Sequence, residues 1–233
     1  KWVKLRDIRL GSNAIRPPSN VYSKFSSIST LTELLTLNLT YTFPREPKSI
    51  PKFPTQLENL NLSCNVFPMN TWTALCENVA QMNQLKSLSM CNCGLTDREA
   101  VHLKPALLSC TSLTALQLDG NQIDNETGPL VADLNQLQVL HVSCRWEDKH
   151  AARLVGSLHH HTQLRSLNLG SGLGESSRQA LVDWLPHVPN LEEVGFCFTC
   201  DSSVCDTAIQ RSLSIWTAIS VHFSHVRWPN SET

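Results

Sequence analysis

The chain has 233 residues, 41% of them hydrophobic and 17% charged, with 19 basic against 20 acidic side chains and a formal net charge of −1. That composition supports a substantial folded core and excludes a disordered chain. The near-neutral balance removes the long-range field that draws phosphate backbones or anionic lipid, so neither nucleic acid nor a membrane is expected as a partner.

In chain order, nine segments carry one spacing of apolar residues: LRDIRLGSN from Leu5, LLTLNLTYT from Leu34, LENLNLSCN from Leu57, LKSLSMCNC from Leu85, LTALQLDGN from Leu113, LQVLHVSCR from Leu137, LRSLNLGSG from Leu164, LEEVGFCFT from Leu191 and WTAISVHFS from Trp216. Their starts lie 29, 23, 28, 28, 24, 27, 27 and 25 residues apart. The pattern L-x-x-L-x-L-x-x-N/C at intervals of about 20 to 29 residues is the leucine-rich-repeat signature. Two apolar residues spaced by two in a short strand point into a core, and the residue between them points to the other face of the sheet. The Asn or Cys that follows turns the chain, and a buried Asn can satisfy backbone groups where the ladder ends.

Between strands, helical periodicity appears in Thr71–Met82, Thr96–Cys110, Glu147–His161, Glu175–Val188 and Ser202–Trp216, with apolar residues at steps of three or four, as at Ala100, Leu103 and Leu107. Thr96 with Glu99 reads as a capping box. Two intervals depart from this. Pro44, Pro47, Pro51 and Pro54 exclude an ordinary helix from the 23-residue interval, where curvature should flatten. Gly128 and Pro129 leave room for only a short helix in the 24-residue one. The expected fold is α/β: a leucine-rich-repeat solenoid, or horseshoe, with a parallel concave sheet and helices on the convex side. It should occupy residues 1–226, with 227–233 as a C-terminal tail.

The nine cysteines do not form an even disulfide framework. Cys64, Cys91, Cys93, Cys144 and Cys197 follow the strand motif as small buried hydrophobes would, which fits a reducing, cytoplasmic setting. The opening KWVKLRDIRLGSN has no signal-peptide core, and no run of about 18 apolar residues occurs. Sequons begin at Asn38, Asn61 and Asn125, no more than the Asn, Ser and Thr content produces by chance. The first repeat begins almost at Lys1 with no initiator methionine, so the chain is expected to be a fragment of a longer protein.

The run CNCGLTDREAVHLKPALLSCTSLTALQLDGNQI, a cysteine-type turn followed about 28 residues on by an asparagine-type turn, resembles the ribonuclease-inhibitor-like repeats of ribonuclease inhibitor and of NOD-like receptors. Cys91, Cys93, Gly94, Leu95 and Thr96 match the cysteine-type turn, and Gly120, Asn121 and Ile123 the asparagine-type turn. The resemblance covers most of Leu57 to Val194. The proline-rich repeat departs from it, and the alternation fades after Arg145, which suits a receptor's irregular terminal repeats better than a strict ribonuclease inhibitor. The resemblance implies a non-catalytic domain that follows a nucleotide-binding module, restrains it without ligand and in some members recognises ligand. No GxxxxGK[ST] occurs among the nine glycines, so that module would lie outside this chain.

The outward positions of the strands define a candidate binding surface: Arg9, Asn38, Asn61, Ser89, Gln117, Asp119, His141, Asn168, Glu193 and His222. Tyr41, Phe198 and Phe223 at the ascending edge, with Arg165 and Trp146, are the better anchors, because tight interfaces favour aromatic and Arg side chains. The expected partner is a protein or microbial ligand on this concave or a lateral surface, or the missing nucleotide-binding domain of the same chain. No cofactor or metal is expected. His159, His160 and His161 read as a solvated turn at a helix C-terminus, since adjacent histidines diverge. Cys197, Cys200 and Cys205 form half a zinc site, with His222 or His225 as a fourth ligand, but buried repeat cysteines account for them better. Gly170, Gly172 and Gly174 resemble a phosphate loop only superficially. Alternatives to the receptor reading are a ubiquitin-ligase substrate adaptor, a ribonuclease-inhibitor homologue and, least supported, an enzyme, since nothing like GxSxG or HExxH occurs.

Overall fold

The computed structural model describes residues 4–11, 27–44, 47–198 and 220–223. The strands are β1 Asp7–Arg9, β2 Thr36–Asn38, β3 Asn59–Asn61, β4 Ser87–Ser89, β5 Ala115–Gln117, β6 Val139–Arg145, β7 Ser166–Leu173, β8 Glu193–Phe198 and β9 Ser220–Phe223. They form one sheet in sequential order, every neighbouring pair parallel. Ile8, Leu37, Leu60, Leu88, Leu116, Leu140, Leu167 and Val194 form one column across it. The ninth copy is displaced. The sequence pattern centres it on Ile219, whereas Val221 pairs with Val194, two residues further on, which preserves the face each residue belongs to.

From β2 to β8 the three apolar positions of each repeat are buried: Leu57, Leu60 and Leu62, for example, or Leu164, Leu167 and Leu169. Each fully buried leucine contributes about 1.5–3 kcal/mol. The helices cover the other side. They are α1 Met69–Ala80, α2 Asp97–Ser109, the five-residue α3 Thr127–Val131, α4 Asp148–Ser157 and α5 Glu175–Trp184, the last followed by a 3-10 turn at Leu185–His187. Each packs against the next. Thr96 and Glu99 form the expected capping box of α2. No helix occurs among the described residues of the proline-rich interval, and the 24-residue interval holds the short α3. The helical pattern at Ser202–Trp216 lies outside the described residues, as does the 227–233 tail.

The turn after each strand takes one of two forms. Asn121 is 7% exposed; its Oδ1 accepts from the N–H of Cys93 and Leu95, and its Nδ2 donates to the carbonyls of Met90 and Leu118. Asn65 does the same for Thr42, Phe43, Leu39 and Leu62. Cys93 takes the equivalent place in the repeat between, with its thiol toward the carbonyls of Leu62 and Cys91. In the next repeats the position holds Arg145 and Gly172, and there the strands run on: β6, β7 and β8 have seven, eight and six residues against three in each of β1 to β5.

This extension explains the glycine run. Gly170 and Gly172 have φ of 78° and 92°, and a Cβ on Gly172 would lie 2.4 Å from the Trp146 carbonyl oxygen. Only glycine fits so close an approach at that φ. The segment is a bulged strand, not a turn or a phosphate loop.

Candidate protein-interaction surface

Two outward rows flank the buried column. One comprises Thr36, Asn59, Ser87, Ala115, Val139, Ser166 and Glu193; the other Asn38, Asn61, Ser89, Gln117, His141, Asn168 and Gly195. Parallel pairing at about 4.8 Å per strand turns sequence positions some 27 residues apart into neighbours. Most of the predicted surface residues therefore share one face.

The face divides into two electrostatic halves. Toward β1 it carries one ion pair, Arg9 with Asp7 of the same strand, whose Nη2 and Oδ2 lie 2.9 Å apart, and is otherwise uncharged. Asn38 Oδ1 accepts the N–H of Thr40 at 3.0 Å, and Asn61 Oδ1 that of Ser63 at 2.9 Å. Thr40 Oγ1 lies 2.7 and 3.1 Å from these two oxygens. Ser89 is buried and donates to Gln117 Oε1 at 2.6 Å. Arg9, Thr36, Asn38, Asn59, Asn61, Ser87 and Ser89 line an open concave pocket of about 210 Å³.

Toward β8 the face is acidic and interlinked. His141 Nε2 lies 3.0 Å from Ser166 Oγ, which donates to Glu193 Oε2 at 3.2 Å, a chain running over three strands. Arg165 pairs with Glu192, both about half exposed. Asp119 Oδ1 accepts the Ser143 N–H at 2.9 Å and Oδ2 lies 3.7 Å from Cys91 Sγ. Burial pushes the Cys91 thiol up, and the Asp119 charge adds to it. Asn168 repeats the asparagine geometry, accepting the Gly170 N–H at 3.2 Å.

Several expected site residues are placed differently. Trp146 is not an edge anchor: it is 5% exposed, and its indole N–H donates to the Leu169 carbonyl at 2.5 Å. That carbonyl corresponds to the ones Asn65 and Asn121 serve in their own repeats, so the tryptophan supplies across the repeat boundary what Gly172 cannot. Tyr41 is 46% exposed with φ 52°. Phe198, His222 and Phe223 lie in β8 and β9 as backbone. His161 is not solvated: it is fully buried, with Nε2 3.1 Å from the Val131 carbonyl, while His159 is exposed. Cys64 is exposed rather than buried, because its φ of 61° turns it out of the strand; Cys91 and Cys144 are half-buried and Cys93 is buried. Cys200, Cys205 and His225 lie outside the described residues.

Sequence reasoning missed the fastening between helix starts. Asp148, at the head of α4, accepts through Oδ1 from the N–H of Gly174 and Ser177 and the Ser177 hydroxyl, and through Oδ2 from the Ser176 N–H. Burial alone would push its carboxyl up, but these donors hold it far below the usual carboxylate range. Asp97 at the head of α2 likewise accepts from Asp124 and Glu126. The available signal was an Asp in each first helical turn, but a partner 26 or more residues away is invisible locally.

No family model matches the chain. Over 142 residues, 59% of this chain and 11% of the relative, it is 29% identical to the mouse NACHT, LRR and PYD domains-containing protein 1b allele 5. An internalin from Listeria monocytogenes superposes with a TM-score of 0.61 at 22% identity over 97% of this chain and 62% of its own. A Bacteroides fragilis protein gives 0.57 at 13% over 96% and 66%. The chain thus spans a small part of its curated relative and less than two thirds of the internalin. Among the described residues no helix is long and apolar enough to cross a membrane. The nine-stranded parallel sheet, its leucine columns and these likenesses identify the chain as a leucine-rich-repeat domain, similar in its repeats to those of NOD-like receptors.

Proposed function

We propose that this chain is the ligand-sensing or autoinhibitory repeat domain of a cytosolic innate immune receptor of the NOD-like type, acting as a non-catalytic protein-interaction module. The observation that carries the reading is the alternation of asparagine and cysteine turns at Asn65, Cys93 and Asn121, each side chain directed at a carbonyl of the preceding repeat, together with the likeness to the mouse NACHT, LRR and PYD protein. Such a domain works by presenting a rigid, repeated face, and a sheet whose register is locked by buried leucines presents its outward side chains at fixed spacing. The concave rows, with Tyr41 and Arg165 at their margins, are the proposed contact surface. The partner is a protein or microbial ligand, or the nucleotide-binding domain of the same receptor.

The test is the full-length transcript and its product. A nucleotide-binding module encoded before Lys1, and a raised basal signal when residues 1–226 are deleted, are the expected results. An F-box in that place would assign the repeats to a ubiquitin-ligase adaptor instead, and inhibition of a pancreatic-type ribonuclease by the isolated domain would favour a ribonuclease-inhibitor homologue.

A further inference from the structure

The ends of α4 and α5 are tied side by side. The indole N–H of Trp184 donates to the Leu158 carbonyl at 3.0 Å, and Asn190 Nδ2 donates to the Thr162 carbonyl at 2.8 Å. Between these two bonds stand His159, directly after Leu158, and His187, in the 3-10 turn that follows α5. Both are exposed, and their ring centroids lie 5.8 Å apart. Adjacent histidines along the chain diverge, and His161 is sealed in the core. The packing of two repeats instead brings His159 beside a histidine of the repeat that follows.

The His159 ring is oriented by the backbone. Its Nδ1 lies 2.7 Å from the Gly156 carbonyl, which can only accept, so Nδ1 carries the proton and Nε2 of the neutral ring presents its lone pair. Histidines that ligate a metal ion donate their other ring N–H in this way, which fixes tautomer and orientation. Among the described residues the His187 ring nitrogens make no hydrogen bond. With Zn–N bonds of about 2.0–2.1 Å and ring centres about 1.1 Å behind the nitrogens, two imidazoles on one tetrahedral ion have centroids about 5 Å apart. The observed separation is within an ångström of that, and rotation of two exposed side chains closes the difference.

Charge at this corner does not oppose a cation. Neither 154–164 nor 179–191 contains a lysine or arginine, and the carboxylate in those segments is Asp183. Lys104, from the preceding helices, is paired with Asp133. From this geometry we propose that His159 and His187 form a two-histidine site for a divalent ion of the zinc class, with water completing its shell. Imidazole nitrogens suit zinc, copper and nickel, whereas magnesium and calcium want oxygen. Among the described residues no third histidine, cysteine or carboxylate joins the pair, so the remaining positions face solvent. The site lies at helix ends, away from the concave rows, and does not depend on the receptor reading.

The test titrates zinc chloride into the ¹⁵N-labelled chain at neutral pH while imidazole nitrogen resonances are followed. His159 Nε2 and one His187 nitrogen should move together and saturate at one ion per chain, with His159 Nδ1 still protonated; magnesium chloride should move neither. His159→Gln and His187→Gln should each weaken binding at least tenfold. His160→Gln and Cys64→Ser, which remove the adjacent ring and an exposed thiol, should leave it within threefold. Because both ligands are at the surface, all these proteins should melt alike without metal, and zinc should raise the melting temperature of the wild type but not of the His159 and His187 variants. A response that does not saturate by millimolar zinc, or unchanged affinity in either of those two variants, overturns the site. A loss in His160→Gln or Cys64→Ser as large as that in His159→Gln assigns the ion elsewhere and overturns the pairing.

Discussion

Asn121→Ala probes the hinge between strand and turn. The side chain makes four hydrogen bonds to backbone groups, at 2.9, 3.1, 2.8 and 2.7 Å, and is 7% exposed. At about 0.5–1.5 kcal/mol net for each bond, roughly 2–6 kcal/mol is at stake, and the buried groups left behind place the expectation near 3–5 kcal/mol. At roughly 2–4 °C per kcal/mol for a chain of this size, melting should fall by about 10 °C. Urea unfolding followed by circular dichroism measures the loss. Asn125→Ala is the control, because that side chain reaches only Glu126 and the exposed Arg153 and sits outside the ladder. A loss below about 1 kcal/mol for Asn121→Ala, or one equal to the control's, would refute the assignment of this asparagine as the fastening of two repeats.

Leu116→Ala, in the fully buried column, should cost about 2–5 kcal/mol in the same assay, whereas the adjacent outward Gln117→Ala should cost only the one hydrogen bond it accepts from Ser89, about 0.5–1.5 kcal/mol; a reversed order would mean the opposite face is inward. Gly172→Ala forces a methyl against the Trp146 backbone at φ 92° and should lower the melting temperature, with Gly156→Ala, where nothing lies within 4 Å of the added carbon, as the tolerated comparison. Asp148→Asn should destabilise at neutral pH. Because the native carboxyl titrates below its unfolded value of about 3.9, its contribution is complete above that value and fades as pH falls through it toward the native one. The stability gap between wild type and Asp148→Asn should therefore hold from about pH 7 to 5 and narrow below about pH 4, and a gap that widens on acidification would contradict the capping role.

The leucine columns were legible in the sequence because burial of one strand face imposes a fixed local spacing, and nine repetitions of it leave little freedom of register. Asn65 and Asn121 were legible for the same reason. The ninth strand was offset by two residues because its pattern alternates over Ile219, Val221 and Phe223, so that two registers satisfy one face equally. Trp146 was misplaced at the surface because its burial depends on β6 continuing past the usual turn, to Arg145, which the apolar spacing does not announce. His161 was misplaced because a carbonyl 30 residues earlier, at Val131, receives it. The orientation of Asn38 and Asn61 needed the Thr40 and Ser63 amides to be seen beside them.

The indole of Trp146 bonded to the Leu169 carbonyl has a consequence for how this array can be remodelled by recombination. Where a repeat carries its own asparagine, as Asn121 serves Leu118, it brings the donor for its own strand-end carbonyl with it. The repeat of β7 borrows its donor from the one before. Excising either of these two repeats alone would strand a buried carbonyl or leave the indole without its acceptor, so the heritable module at this point of the chain is the pair.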